Sequence, residues 1–372
     1  MQDAKEIYAI ALSMVRGLSP DIVKMFPDVG ITVEDFFNLD KNKLKSFLGL
    51  SDCEFIEKMR RDEALFKAKK EFEFIKRHKI QCIFLLNPDY PTRLFNISDP
   101  PIVLYKVGPG DLDPENIISV VGTRRPTQYG IDFCNDFLED LSVYFPQLTT
   151  VSGLAHGIDS CVHKTSITHN LPTIAVVAHG LNMIYPAQNR PLAHEIIKKG
   201  GAIISEYPFG EKPYRQRFLE RNRIVAGLSD VTVIVESALK GGAMSTANLA
   251  FSYSREVMAL PGRISDDTSE GCNHLIRKEK ARLLTSAADI IEVTGWKPMD
   301  LLVDAHQRNL FPELEGDSKI IYDILRFNKE PLQLDRLHQL TMIPMAKLMS
   351  TLGELEFDGI ISRYPGNRYS IS

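Results

Sequence analysis

Two arginines flank an asparagine in Phe218-Leu-Glu-Arg-Asn-Arg-Ile-Val-Ala-Gly-Leu-Ser-Asp, and the apolar residues 231–235 separate that stretch from Gly241-Gly-Ala-Met-Ser-Thr. Guanidinium and amide groups on one helix, then a buried strand opening into a paired-glycine turn, suit the holding of an anion. None of these residues is an evident nucleophile or general base. Lys212, Arg215, Arg217, Arg221 and Arg223 all fall within residues 211–223, interleaved with Tyr214 and Phe218. Basic side chains track a phosphate backbone while aromatic faces stack on bases, and such closely spaced cations repel unless an anion joins them. The plainer alternative is that Phe218 and Ile224 pack the helix onto a sheet, with the arginines solvated. Gly241 and Gly242 add backbone donors ahead of the next helix, which Ser245 or Thr246 is placed to cap.

Other glycine turns offer weaker versions of the same chemistry. Gly122 is followed by Arg124 and Arg125 at the expected start of a helix, where free N–H groups and the helix dipole favour an anion. A plain strand-to-helix turn with solvated arginines fits those residues as well. Gly153-x-x-x-Gly157 falls short of the Gly-x-Gly-x-x-Gly fingerprint, so no nucleotide cofactor is demanded. His156, Asp159 and His163 fall at i, i+3 and i+7 and mimic a metal site, but nothing nearby completes a ligand set. Helix capping by His156 and Asp159, with His163 packed or hydrogen-bonded, is the better reading, and no metal is expected.

These turns need a scaffold. Short runs rich in β-branched residues, at 117–121, 148–152, 173–178, 202–205, 231–235 and 257–260, alternate with helical stretches, the signature of βαβ units and a mainly parallel sheet. The runs are apolar throughout, as strands covered on both faces should be. Ligands bind beyond the carboxyl ends of such strands, and the glycine turns gather on that rim.

Residues 1–80 read as a small helical domain and 81–295 as the α/β domain, in which a proline-punctuated, irregular crossing runs up to about Gly110. Residues 296–317 read as a linker, and 318–372 as a winged helix with helices near 319–327, 332–339 and 345–357 and a two-stranded wing over 359–372. The presumptive recognition helix carries Lys347 but also Glu354 and Glu356, which suits dimerisation or partner docking better than a phosphate-lined groove.

Composition narrows the setting. With 372 residues, 44% hydrophobic and 25% charged, the chain can bury a large core. Forty-four basic against 48 acidic side chains leave −4, so nucleic-acid binding must come from a local patch. The five cysteines, Cys53, Cys82, Cys134, Cys161 and Cys272, are scattered and never form Cys-x-x-Cys, which argues against disulfides and zinc. A reducing cytoplasm fits best. No signal-peptide core or membrane span is evident, and neither export nor a membrane partner is expected.

Val120-Val-Gly-Thr-Arg-Arg, Ser152-Gly-Leu-Ala-His-Gly-Ile-Asp, Gly180-Leu-Asn-Met-Ile-Tyr-Pro-Ala-Gln-Asn, Ile204-Ser-Glu-Tyr-Pro and the Arg221-Asn-Arg motif resemble the DNA-processing protein A (DprA/Smf) family. So do Gly241-Gly-Ala-Met-Ser-Thr-Ala, Arg255-Glu-Val-Met-Ala-Leu-Pro-Gly and Gly271-Cys-Asn-His-Leu-Ile, all in family order through most of residues 117–291. The resemblance implies an extended Rossmann-like, doubly wound domain that binds single-stranded DNA, protects it from nucleases and helps load the RecA recombinase in natural transformation. It implies a homodimer, no enzymatic activity and no cofactor. It carries DNA contacts onto Arg124, Arg215 and Phe218, with backbone donors at the glycine turns. The full expected set is Gly122, Arg124, Arg125, Gly153, Lys212, Arg215, Arg217, Phe218, Arg221, Asn222, Arg223, Gly241, Gly242 and Ser245. The N-terminal unit resembles the family's sterile-alpha-motif-like or helix-hairpin-helix domain, without a Gly-x-Gly hairpin around Gly17 and Gly30. Lys280-Ala281 replaces the family's usual Gly-Ala.

A nucleoside-monophosphate phosphoribohydrolase of the lysine-decarboxylase-like group is the competing expectation, since it also sets a double-glycine turn against a phosphate. Its motif ends in a catalytic carboxylate, and that position falls here on Asn248, which cannot act as a general base. A dinucleotide-dependent oxidoreductase lacks its glycine fingerprint and ribose acid.

Overall fold

In the strand Ile117–Val121, Ile118 and Val120 enter one hydrophobic cluster while Ile117 and Val121 enter another, so both faces of the strand are covered. That double burial explains the unbroken apolar run. The structure, a computed structural model, describes residues 2–48, 59–299, 316–328, 331–357, 360–364 and 367–371. Cys53 and residues 300–315 of the expected linker lie outside the described residues, as do Gly359 and Ser372 at the ends of the expected wing. Two compact units divide the chain, Met1–Met299 and Asp300–Ser372.

The first unit is built on one sheet. Its strands are β1 (Gln81–Phe84), β2 (Val103–Val107), β3 (Ile117–Val121), β4 (Thr149–Ser152), β5 (Thr173–Val176), β6 (Ala202–Ser205), β7 (Val231–Ile234), β8 (Glu256–Ala259) and β9 (Arg282–Leu283). They lie side by side in the order β1-β2-β6-β5-β4-β3-β7-β8-β9. The strands from β3 to β9 are mutually parallel, with Ile118 opposite Thr150 on one side and Val231 on the other. Helices Gln128–Tyr144, Ile158–Thr168 and Ala287–Thr294 cover one face around Phe137, Leu141, Val162 and Ile290. Helices Arg215–Leu228 and Gly242–Ser252 cover the other, burying Ile224, Val225, Ala243 and Ala247.

The six strands expected from the sequence form, two of them end to end and four displaced by one or two residues. The stretch read as an irregular crossing instead contains β2, which with β1 extends the sheet antiparallel beyond β6, Lys106 pairing with Ile204. Pro91, Pro100 and Pro101 bracket a short helix, Thr92–Phe95, and the proline pair just ahead of β2 reads as loop punctuation that hides the strand.

The N-terminal helices pack into the same core. Thr32 and Asp35 form a capping box at helix Val33–Asn38, and Ser19 caps Pro20–Lys24. Helix Arg61–His78 lies against Gln2–Ser13, and Ile10, Leu12, Phe26 and Phe36 join Ile83, Leu104 and Tyr105 in one cluster. Among the described residues, no helix is long and apolar enough to cross a membrane.

The second unit is a winged helix with helices Gly316–Phe327, Leu334–Thr341 and Met345–Phe357. Its sheet runs β10 (Leu332–Gln333), β12 (Arg368–Ile371), β11 (Ile361–Tyr364). The middle helix begins at Leu334, because Leu332 and Gln333 pair with Tyr369 and Arg368 as a strand. Lys347 forms an ion pair with Asp317 at 2.5 Å, so the cation of the presumptive recognition helix is already partnered.

Candidate nucleic-acid interface

From β3 the chain proceeds outward through β4, β5 and β6 on one side, then returns to β7, β8 and β9 on the other. The carboxyl ends of β3 and β7 therefore flank a switch point, where open α/β sheets form their crevice. A cavity of about 680 Å³ lies there, walled by the turns after β3, β4 and β7, by helix Arg215–Leu228 and by the start of helix Gly242–Ser252.

The first turn departs from expectation. Helix Gln128–Tyr144 begins three residues beyond Arg125, with Thr127 as its N-cap. The carboxylate of Glu236, from the end of β7, accepts hydrogen bonds from the Thr127 N–H at 2.8 Å and the Thr127 hydroxyl at 2.5 Å. Glu236 is buried, so this helix end already has its anion, and Arg124 and Arg125 stand ahead of the helix rather than at its start. Arg124 turns instead to the cavity, its guanidinium 5.3 Å from the Phe218 ring centre. Arg125 is exposed and does not line the cavity.

Gly153 makes room for an arginine. A Cβ there would lie 2.1 Å from an Arg221 Nη, and Arg221, only 4% exposed, donates to the Val176 carbonyl from the cavity floor. Burial pulls the Arg221 pKa down and the Asp159 carboxyl pKa up, each opposed by the other's charge. The guanidinium keeps its charge, and among the described residues its Nε has no hydrogen-bond partner. Gly157, at φ +81°, packs so closely on the first turn that a Cβ would meet the Thr123 oxygen at 2.3 Å. Ile158 N–H donates to that same oxygen at 3.1 Å, so the two turns brace each other and fix the base of Arg124.

The five expected cations divide. Arg217 is paired with Glu211, donates to the Lys212 carbonyl at 2.7 Å and lies 4.4 Å from the Tyr214 ring centre. Arg223 is paired with Glu206, 3.9 Å from Asp99, and does not line the cavity. Carboxylates within the fold thus answer the repulsion that seemed to require an external anion. Among the described residues, no carboxylate pairs with Arg124, Arg125, Lys212, Arg215 or Lys240. Of these, Arg124, Arg215 and Lys240 line the cavity and Lys212 does not.

The second helix end is open. Helix Gly242–Ser252 has no side-chain cap, and a Cβ on Gly242 would meet nothing within 4 Å. The expected cap by Ser245 or Thr246 is absent, and Ser245 lies outside the cavity lining that Thr246 joins. Asn222 lines the cavity and donates to the Gly242 carbonyl at 3.4 Å. Asn248 donates to the Met244 carbonyl and accepts from Lys280 Nζ at 3.0 Å, so its amide nitrogen and oxygen each have a partner.

His163 is fully buried against the Thr173 hydroxyl at 2.7 Å, and burial pushes its pKa down to about 3. Asp159 accepts from the Ala155 N–H, while His156 is exposed. Tyr185 and Lys240 also line the cavity, beyond the residues expected from sequence. Tyr185 is 49% exposed, lies 5.9 Å from the Phe218 ring and follows His179, whose Nε2 accepts the Tyr185 N–H. It stands within the Ile-Tyr-Pro motif, whose aromatic residue was the available signal. Tyr214, 53% exposed, adds a third ring.

The family model described as DNA recombination-mediator protein A matches residues 81–295, and the DprA winged helix domain matches 309–367. The chain is 31% identical to Protein Smf of Synechocystis over 413 residues, covering 99% of each chain. It belongs to the DprA/Smf family. Protein Smf of Escherichia coli is 34% identical over 279 residues, 74% of either chain. The X-ray structure of DprA from Streptococcus pneumoniae superimposes with a TM-score of 0.64 at 30% identity, over 77% of this chain and 96% of that one. A second family structure, from Helicobacter pylori, matches with a TM-score of 0.51 at 33% identity over 57% and 95% of the two chains. That protein's structure was presented as an insight into its unique single-stranded DNA binding mode.

Proposed function

We propose that this protein binds single-stranded DNA in the switch-point cavity, as a DNA-processing protein and not as an enzyme. The observation that carries the reading is the meeting of three unpaired cations, Arg124, Arg215 and Lys240, with the rings of Tyr185, Tyr214 and Phe218 around one cavity. Cations hold the phosphates and rings stack on bases, a combination tolerant of sequence. The N–H of Gly242, at the uncapped helix start, takes a phosphate, with Asn222 beside it, and Arg221 supplies a fixed positive charge beneath; the Gly241 N–H is already given to the Ala238 carbonyl at 2.8 Å. Gly122 and Gly153 shape the walls; Arg217 and Arg223 stiffen the helix; Arg125, Lys212 and Ser245 lie at the margin. The relative from H. pylori supports the choice of ligand.

Family resemblance supports the wider role: protection of incoming DNA and loading of RecA during natural transformation, by a cytoplasmic homodimer. The domain limits 1–80, 81–295, 296–317 and 318–372 belong to the same proposal, the second of them coinciding with the family match. A gel-shift titration with oligo-dT, duplex of equal length and a nucleoside monophosphate tests the reading. Tightest binding to oligo-dT, weakening as salt rises, is expected; equal binding to duplex, or preference for the monophosphate, would overturn it.

A further inference from the structure

Away from the cavity, Glu71 lies midway along helix Arg61–His78, and its side chain is placed where a carboxylate is costly. It is 8% exposed, and burial, with Glu211 nearby, raises its pKa above the ordinary glutamate range. Its hydrogen-bond donor is a single backbone group: the Phe209 N–H reaches both carboxylate oxygens, at 2.9 and 3.0 Å. The Phe209 ring sits 3.9 Å from Phe74 on the same helix, centre to centre. Phe209 belongs to the loop between β6 and helix Arg215–Leu228, the loop that delivers Tyr214 and Arg215 to the cavity.

From Phe209 the connection to the site is short and hydrogen-bonded. Gly210 N–H donates to Asn182 Oδ1 at 3.0 Å, and the Glu211 carbonyl accepts from Gly180 N–H at 2.9 Å. The Glu211 carboxylate holds Arg217, which in turn holds the Lys212 carbonyl and lies over the Tyr214 ring. The next two residues, Pro213 and Tyr214, face the cavity.

We infer that Glu71 is a positioning residue for the nucleic-acid site: through the Phe209 N–H it clamps the loop 206–214 and sets Tyr214 and Arg215 toward the cavity. The N-terminal helices thereby act on nucleic-acid binding without touching the ligand. The inference rests on the proposed single-strand site. Electrostatics alone predicts the opposite sign, because removing a negative charge near a phosphate site strengthens binding.

The test uses the full chain with Glu71→Ala, Glu71→Gln and Glu73→Ala, the last removing an exposed carboxylate from the same helix. Glu71→Ala is expected to speed amide hydrogen exchange across 209–212 and to weaken oligo-dT binding by about tenfold, the scale of a lost charge-assisted hydrogen bond. Glu71→Gln keeps one acceptor oxygen and restores both readouts to within about threefold of the parent. Glu73→Ala leaves exchange unchanged. Unchanged exchange in Glu71→Ala, or faster exchange with parental oligo-dT affinity, would overturn the inference. If Glu71→Ala does not fold, Glu71→Gln decides, with exchange and affinity both at or beyond the alanine scale counting against rescue and so against positioning. A parent protein that fails to bind oligo-dT would sink the functional reading instead, and the exchange comparison would still decide whether Glu71 holds the loop.

Discussion

Helices Gln128–Tyr144 and Gly242–Ser252 both start beyond the carboxyl end of a central strand, and both starts read from sequence as anion sites. One is closed: Glu236 is buried against Thr127. The other is open, uncapped and beside Arg124, Arg215 and Lys240. A helix N-terminus favours an anion in either case; at the first the fold supplies its own carboxylate, and at the second we propose that a phosphate takes that place.

Substitutions that exchange the two conditions test this contrast. Glu236→Ala removes a buried charged acceptor from two donors and should cost about 2–3 kcal/mol in urea unfolding, the largest effect expected. A loss below about 0.5 kcal/mol would mean the closed end needs no anion. Phe218→Ala should weaken oligo-dT binding by about 1–3 kcal/mol if the ring stacks on a base. A lowered melting temperature with parental binding would reassign the ring to packing. Gly242→Asp gives the open end its own carboxylate, in free space and without backbone strain. It should stabilise the fold by about 0.3–1 kcal/mol while weakening oligo-dT binding by a similar amount. Undiminished binding would remove that helix end from the site. Arg124→Ala and Arg215→Ala should each lower the salt slope by about one phosphate contact, measured by titrations at several salt concentrations. Arg125→Ala, outside the cavity, should change affinity less than about twofold.

The sheet was legible because strands buried on both faces write continuous apolar runs, as at 117–121 and 231–235. Strand β2, between β1 and β6, was not, because Pro100 and Pro101 stand just ahead of it and read as loop punctuation. Within the site, residue type predicted the anion chemistry but not its division among the cations. Whether Arg221 is buried, or Arg223 is paired, depends on where Asp159 and Glu206 arrive from the turns after other strands. At Gly153 the lack of a side chain leaves room for the Arg221 guanidinium, which no spacing in the sequence foretold. Tyr185 became a candidate only when the loop after β5 placed it against Phe218.

Photocrosslinking of oligo-dT carrying 5-iodouracil, followed by peptide mapping, tests the central claim most directly, because it locates the bases on the protein. Adducts on Tyr185, Tyr214 or Phe218 are predicted. Adducts confined to residues 2–48 or to the winged helix would contradict the account.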